Sequence, residues 1–288
     1  MAWETAGTFN PGAIVEDGTI HILYRAVDAH GVSRLGYTRT RDGKTMESRS
    51  PEPVLSPTGD WEEFGCEDPR ITRFEGIFYV TYTAFSQRGP RIALASTKDF
   101  LHFEKYGLVG PDRDDKDCVI FPERIDGKVA ILHRLESKVQ IAYFDGIESL
   151  AKSGSFWSKY LPHFGDYEIL RAKFPWEARK VGVGSPPIKT DRGWLVIYHG
   201  VSLDRTYSAG ALLLDLDDPK KVVARTRSPI LEPEADFERV GFVPNVVFPD
   251  GTVTQDGELL AYYGGADRVC CVASSPLEEF LDELEKEK

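Results

Sequence analysis

One pattern, met five times along the chain, constrains the fold more than any other feature. It is a turn closed by glycine, followed by a short apolar run that closes on Tyr or His. The runs occupy residues 19–25, 77–83, 128–134, 194–199 and 258–263. Internal repeats are sought first because each unit must bury its face against the next. The glycines before the runs, Gly18, Gly76, Gly127, Gly193 and Gly257, lie 58, 51, 66 and 64 residues apart. The Asp-Gly, Glu-Gly and Arg-Gly pairs they form suit hairpin turns, since glycine accepts positive φ.

Each turn is preceded by a prolyl segment: Asn10-Pro11, Asp68-Pro69, Phe121-Pro122, Ser185-Pro186 and Pro244-Asn245. Proline is tolerated at a strand's first residues, where it removes no interior ladder bond, so these segments are expected to open a first strand. A third strand rich in small residues follows each run, at 34–38, 91–95, 139–143, 208–212 and 269–273. A fourth, outer strand shows at 49–55 and 227–231. Four strands repeated five times predict an all-β chain, a five-bladed β-propeller forming one domain over 1–288. A β-sandwich would not explain a fivefold repeat of this length. The segment 275–288 departs from the pattern. Leu277, Phe280, Leu281 and Leu284 follow i, i+3, i+4, i+7, which predicts a short amphipathic C-terminal helix with Ser275 as N-cap and Pro276 in its first turn.

Composition narrows the function. The chain is 41% hydrophobic and 28% charged, and no stretch approaches the roughly 20 apolar residues of a membrane span. A net charge of −11 argues against nucleic acid or an anionic membrane as partner, because both would repel the average surface. The first residues lack a basic and apolar leader pattern, so the chain reads as cytoplasmic. Cys66, Cys118, Cys270 and Cys271 show neither metal-ligand spacing nor disulfide density and read as reduced thiols.

In a propeller the start of strand one lies near the end of strand two, so residues at those places should ring one mouth. The sequence supplies Asn10 and Arg25; Glu67, Asp68 and Arg70; Glu123, Arg124, His133 and Arg134; Lys180 and His199; and Asn245 and Asp267. Nearly all are polar or charged. Trp61, Phe64, Tyr207 and Phe242 lie close in sequence and offer flat faces suited to sugar rings.

Glycoside cleavage needs an acid for the leaving oxygen and a nucleophile at the anomeric carbon. Asp68, in Gly65-Cys66-Glu67-Asp68-Pro69-Arg70, is expected to be the acid, its pKa raised by Glu67 and oriented or opposed by Arg70. An inverting hydrolase needs a second carboxylate to activate water, for which Glu123 and Asp267 are the acidic candidates. Phosphate is already an anionic nucleophile and calls for cations and donors in place of a base. Arg124, Arg134, Lys180, His133 and His199 supply these, and the balance favours phosphate.

These motifs resemble those of the mannoside phosphorylases, glycoside hydrolase family 130. The likeness runs from Phe9-Asn10-Pro11 through the Asp68 segment, Phe121-Pro122-Glu123-Arg124, Leu132-His133-Arg134 and Tyr198-His199-Gly200 to Gly264-Gly265-Ala266-Asp267. It implies a five-bladed propeller and inverting phosphorolysis of β-mannosides to α-mannose 1-phosphate. It implies Asp68 as the acid, acting directly or through a sugar hydroxyl. Asn10, Arg25, His133, Tyr207 and Asp267 match mannosyl contacts, and Glu67 and Arg70 flank the acid as part of the sugar site. Lys180, His199, Arg124 and Arg134 match the phosphate side. Leu135 stands where many relatives have Pro, and the chain is shorter than several of them, so acceptor loops differ. The family also contains β-1,2-mannosidases, in which carboxylates replace the phosphate-binding groups; Lys180 and His199 argue against that outcome.

The partners expected are an oligosaccharide and inorganic phosphate as co-substrate, with no cofactor and no metal. A homo-oligomer is left open, as are the linkage and the acceptor sugar. Two rivals stay in view: a hydrolase on the same fold, such as an inverting β-mannosidase, and a non-catalytic carbohydrate-binding propeller.

Overall fold

The computed structural model describes residues 1–287 and is built mainly of antiparallel strands in four hydrogen-bonded sheets. The first sheet contains two meanders. One is β1 (Gly7–Glu16), β2 (Thr19–Val27), β3 (Ser33–Thr40) and β4 (Ser48–Arg49); the other is β5 (Gly65–Phe74), β6 (Ile77–Ser86), β7 (Gly89–Thr97) and β8 (Phe103–Leu108). They join through one parallel pair, Ser33 with Gly65. The second sheet holds β9 (Lys116–Ile120), β10 (Val129–Leu135), β11 (Lys138–Phe144) and β12 (Glu168–Leu170). The third holds β13 (Lys180–Val183), β14 (Ile188–Thr190), β15 (Gly193–Val201), β16 (Tyr207–Leu214) and β17 (Val222–Arg225). The last holds β18 (Val247–Gln255), β19 (Glu258–Gly265) and β20 (Val269–Pro276). First strands meet across repeats: β1 packs on β5 and β18, β5 on β9, and β9 on β13.

The second and third strands of all five repeats stand where the sequence pattern puts them. Their turns explain why. Asp17-Gly18, Glu75-Gly76, Asp126-Gly127 and Asp256-Gly257 have φ of 49/69, 50/81, 48/73 and 50/81°. Positive φ at both central residues is the signature of the I′ hairpin, whose twist matches that of the strands.

The prolyl segments and outer strands differ from expectation. Pro11 and Pro69 lie within β1 and β5, at bulges that shift register between Phe9 and Gly12 and between Glu67 and Arg70. A bulged residue is already unpaired, so a missing N–H costs nothing there. Phe121-Pro122 and Ser185-Pro186 follow their short first strands instead of opening them. Residues 49–55 and 227–231 make only brief outer pairings, through β4 and the bridges Leu35 to Leu55 and Ala209 to Leu231. The outer strand of the fourth repeat is β17, and the fifth repeat has none among the described residues.

A second repeat accompanies the first. A one-turn segment with an aromatic residue before glutamate precedes the first strand in four repeats: Trp3-Glu4, Trp61-Glu62, Trp176-Glu177 and Phe237-Glu238. Each buried glutamate accepts a hydrogen bond from a second-strand tyrosine hydroxyl: Tyr24 to Glu4 at 3.2 Å, Tyr82 to Glu62 at 2.6 Å, Tyr198 to Glu177 at 3.0 Å and Tyr263 to Glu238 at 2.7 Å. A cation from the outer part of the repeat closes three of them, Arg49 on Glu4, Lys105 on Glu62 and Arg225 on Glu177. The third repeat substitutes Asp115 and His133, 2.8 Å apart. Buried carboxylates are tolerable only when paired and hydrogen-bonded in this way.

The apolar core lies between neighbouring repeats, as where Val119, Phe121 and Leu132 of the third meet Trp194, Val196 and Leu212 of the fourth. The C-terminal helix spans Leu277–Glu285, two residues later than expected at its start. Ser275 and Pro276 belong to β20, because the Leu277 N–H donates to the Gly257 carbonyl at 2.9 Å and keeps the chain extended up to that point. The buried Leu281 and Leu284 pack on Leu195, Leu213 and Leu259 of the fourth and fifth repeats. The four cysteines are free thiols.

Candidate active site

Strand register assembles the site. The residue after each anchoring Tyr or His points to the opposite face of its strand, which selects Arg25, Thr83, Arg134, His199 and Gly264. Their partners on the first strands are Phe9, Glu67, Lys116, Gly182 and Phe248. In the first three repeats the next residue, Asn10, Asp68 or Asp117, has φ of 50, 52 or 56°. Asn and Asp are the side chains that tolerate this left-handed backbone best, and bulges of this kind re-aim side chains beside active sites.

Asp68 is buried. Its Oδ1 accepts from Asn10 Nδ2 at 2.8 Å and from Arg25 at 3.3 Å. Lys116 Nζ stands 3.6 Å from Oδ2, which accepts no hydrogen bond among the described residues. Burial works to raise the Asp68 pKa, but Arg25, Lys116 and Arg70 outweigh it and hold the carboxyl at about 2. Glu67 accepts from Arg25 at 2.6 Å and from the Ser33 hydroxyl at 3.0 Å. Its pKa is raised, by burial first and by Asp68 in addition. The expected order is therefore reversed: Glu67 moves up and Asp68 down, because Arg25 and Lys116 stand against the Asp68 carboxylate and Arg70 lies close behind it. Asp267, half-buried, is pushed up to about 6 by burial and then by Asp68.

A cationic cluster adjoins Asp68. Arg134 Nη1 lies 2.5 Å from Asp117 Oδ2 and 3.4 Å from His199 Nε2. Lys180 Nζ sits 5.0 Å above the centre of the Tyr207 ring. The Lys180 pKa is lowered to about 8, by burial and then by Arg134 and Lys116. His199 is fully enclosed, tilted against Phe248 with ring centroids 4.5 Å apart, and its Nδ1 has no partner among the described residues. Burial pushes its pKa well below the usual value, so it is neutral at pH 7.

Arg70 is 1% exposed and touches no open space. It donates to the Asp68 carbonyl at 2.9 Å and the Gly184 carbonyl at 2.8 Å, and it pairs with Asp117 at 3.2 Å and Asp250 at 2.8 Å. It braces the site from behind and is not placed to touch a sugar.

Besides Arg70, three assignments made from sequence do not fit this arrangement. His133 is fully buried on the other strand face, with Nδ1 engaged by Asp115 at 2.8 Å and Nε2 by the Tyr160 hydroxyl at 3.0 Å, so it has no nitrogen free for mannose. Arg124 bonds Glu75 at 2.8 Å and the carbonyls of Gly127 and Asp145, beside the hairpin at the far end of β10 from Arg134. Glu123 pairs with Lys189 there, which leaves Asp267 as the only one of the two carboxylate candidates near Asp68. Lys116, Asp117 and Asp250 were missed. Lys116 and Asp117 are the third-repeat equivalents of Glu67 and Asp68, and the repeat itself is the signal that identifies them.

The fold is mainly antiparallel β, and its site joins a buried carboxylate to a nest of cations, an arrangement made for acid-assisted transfer involving an anion. Across residues 2–286 the chain matches the family model described as beta-1,4-mannooligosaccharide phosphorylase, and it belongs to that family, the mannoside phosphorylases of glycoside hydrolase family 130. It is 42% identical over 282 residues to a 1,2-beta-oligomannan phosphorylase of Thermoanaerobacter sp. (strain X514), covering 94% of this chain and 90% of that one. It is 36% identical over 281 residues to a beta-1,2-mannobiose phosphorylase of the same organism, covering 92% and 88%. The solved beta-1,2-mannobiose phosphorylase of Listeria innocua, in complex with beta-1,2-mannobiose, superposes with a TM-score of 0.84 at 30% identity, covering 98% of this chain and 93% of that one.

Proposed function

We propose that this mannoside phosphorylase cleaves β-1,2-linked manno-oligosaccharides with inorganic phosphate, inverting the anomeric centre to give α-mannose 1-phosphate. We read the five meanders as the blades of one propeller over 1–288, with the site at its mouth. The observation that carries the phosphorolytic reading is the cluster of Lys116, Arg134 and Lys180, in which burial and neighbouring cations depress Lys180 to about 8. Such a pocket is under-neutralised, with Asp117 shared between Arg134 and Arg70, and it suits an anionic nucleophile. The β-1,2 linkage rests on the names of the relatives at 36–42% identity.

In this reading Asn10, Arg25, Glu67 and Asp267 hold the mannosyl ring, with Tyr207 as its wall against Lys180. Lys116, Arg134 and Lys180 hold phosphate, with neutral His199 supporting Arg134. Asp68 passes a proton to the departing oxygen, directly or through a sugar hydroxyl, while phosphate attacks the opposite face of the anomeric carbon. Asp68 is ionised in the free protein and must be recharged. Bound sugar excludes water and phosphate neutralises Lys116; both changes raise the Asp68 pKa. Asp267, at about 6, is the neighbouring carboxyl that still holds protons near neutrality.

The deciding experiment incubates β-1,2- and β-1,4-mannobiose with and without phosphate. Phosphate-dependent mannose 1-phosphate from the β-1,2 substrate is expected. Free mannose independent of phosphate would mean a hydrolase.

Lys180 gives a pH test. The ammonium loses its charge as pH rises through about 8, so phosphate affinity should fall on that alkaline side. Lys180→Arg, whose charge persists to higher pH, should remove this limb. Lys180→Ala should raise the KM for phosphate about 10- to 100-fold, equivalent to one lost charge-assisted hydrogen bond, with little change in the KM for sugar. Phosphate KM measured from pH 6 to 9.5 checks both, and an Ala variant with unaltered phosphate KM would remove Lys180 from the role.

A further inference from the structure

We propose that the outer edge of β20 is a dimerisation surface that pairs antiparallel with the same strand of a second copy. Among the described residues, β20 is the last strand of its sheet, and no strand covers its outer side. Alternate residues of an antiparallel ladder direct their N–H and C=O groups to the same neighbour. The Leu277 N–H to Gly257 carbonyl bond therefore fixes the parity. Val269, Cys271, Ala273 and Ser275 bond to β19, while Cys270, Val272 and Ser274 present their backbone groups outward. Pro276, lacking an N–H, ends the outward ladder.

Native edges are usually blunted by charge, covered, or twisted away. Residues 269–276 carry no charge, and Cys270 and Ser274 are exposed. The flanks are self-complementary. Exposed Arg268 precedes the strand, exposed Glu278 and Glu279 follow it, and neither Arg268 nor Glu279 has an ion pair among the described residues. A two-fold axis through Val272 sets Cys270 opposite the second copy's Ser274. It brings Arg268 beside the second copy's Pro276, close to its Glu279, Glu278 being held already by Arg192. The same operation repeats these contacts on the other side, as an isologous interface requires. Any other occupant would have to supply the cation and the carboxylates at the same spacing, which a second copy does by symmetry.

The test is the mass of the full chain by light scattering at micromolar concentration, with Ser274→Pro as the decisive variant. Its proline removes an outward N–H and leaves the β19 ladder intact. The wild type should run at twice the 32.3 kDa chain mass. Ser274→Pro should shift to the monomer, with its melting temperature and turnover per chain unchanged. Ser274→Lys, which adds a charge to the edge, should do the same and serves if the proline variant folds poorly. A monomeric wild type, or a dimer that survives both substitutions, would overturn the proposal.

Discussion

Asp68→Asn is expected to lower turnover about 10²–10⁴-fold, the range of general acid catalysis, and to do so in both directions. In phosphorolysis the group gives a proton to the leaving oxygen; in synthesis it must take one from the attacking hydroxyl. An amide does neither. The substitution isolates that step because the fold should tolerate it. Asn accepts the left-handed φ of 52° at this position, as Asn10 and Asn245 do at 50 and 59°, and its amide oxygen can still accept from Asn10 Nδ2. Sugar affinity should therefore change little. A β-mannoside with a nitrophenolate leaving group, which needs no proton, should lose far less activity in the variant than mannobiose does. Equal losses on both substrates would mean that Asp68 positions the sugar and is not the acid. Turnover that survives on mannobiose would move the acid to Asp267, the neighbouring carboxyl at about 6.

The strands were easier to read from sequence than the site. Four of the turns, at Gly18, Gly76, Gly127 and Gly257, pair an acidic residue with glycine at positive φ, and with Gly193, which follows Arg192, they were enough to count and place the five second strands. The first strands were misjudged because proline was taken as a strand opener, whereas Pro11 and Pro69 occupy bulges inside β1 and β5. That error propagated in the third repeat. With Phe121-Pro122 taken as the opening, Glu123 and Arg124 were assigned to the mouth, although they follow β9 and sit at its other end. Residues 112–117, Asp-Arg-Asp-Asp-Lys-Asp, were given no place in the pattern, and Lys116 and Asp117 went unseen within them. His133 was misplaced for a different reason. Adjacent His133 and Arg134 were both sent to the site, but strand alternation allows only one. The tyrosines Tyr24, Tyr82, Tyr198 and Tyr263 at the equivalent position show that it is the anchoring one. The aromatic-glutamate segments that receive those tyrosines were legible too, as Trp-Glu or Phe-Glu before each of four first strands. What no sequence pattern could supply is Asp250, which meets Arg70 only when the fifth repeat closes against the second.

Removing the Arg70 guanidinium is expected to destabilise the protein by about 3–5 kcal/mol, the range for breaking a fully buried ion pair from one side. Arg70 is the one cation between Asp117 and Asp250, both of them 0% exposed at the side chain. Asp117 keeps Arg134, but Asp250 has no other cation within pairing distance among the described residues. Burial already pushes the Asp250 pKa well above its ordinary value, with Asp68 and Asp117 adding to the shift and Arg70 opposing it. In Arg70→Met that opposition is gone, so Asp250 takes up a proton and keeps an unsatisfied hydroxyl in a dry core. Asp250→Asn in the same chain should restore part of the loss, and the double-mutant cycle from denaturant unfolding should show coupling beyond additivity. Additive losses would mean that Arg70 acts by packing alone. A second readout separates bracing from catalysis. Arg70 is one of the cations that hold Asp68 at about 2, so its loss should raise the Asp68 pKa. Any limb of the pH–rate profile set by Asp68 should then move to higher pH in Arg70→Met, even where the remaining folded enzyme turns over slowly. A merely structural Arg70 would lower the amount of active protein and leave the profile in place.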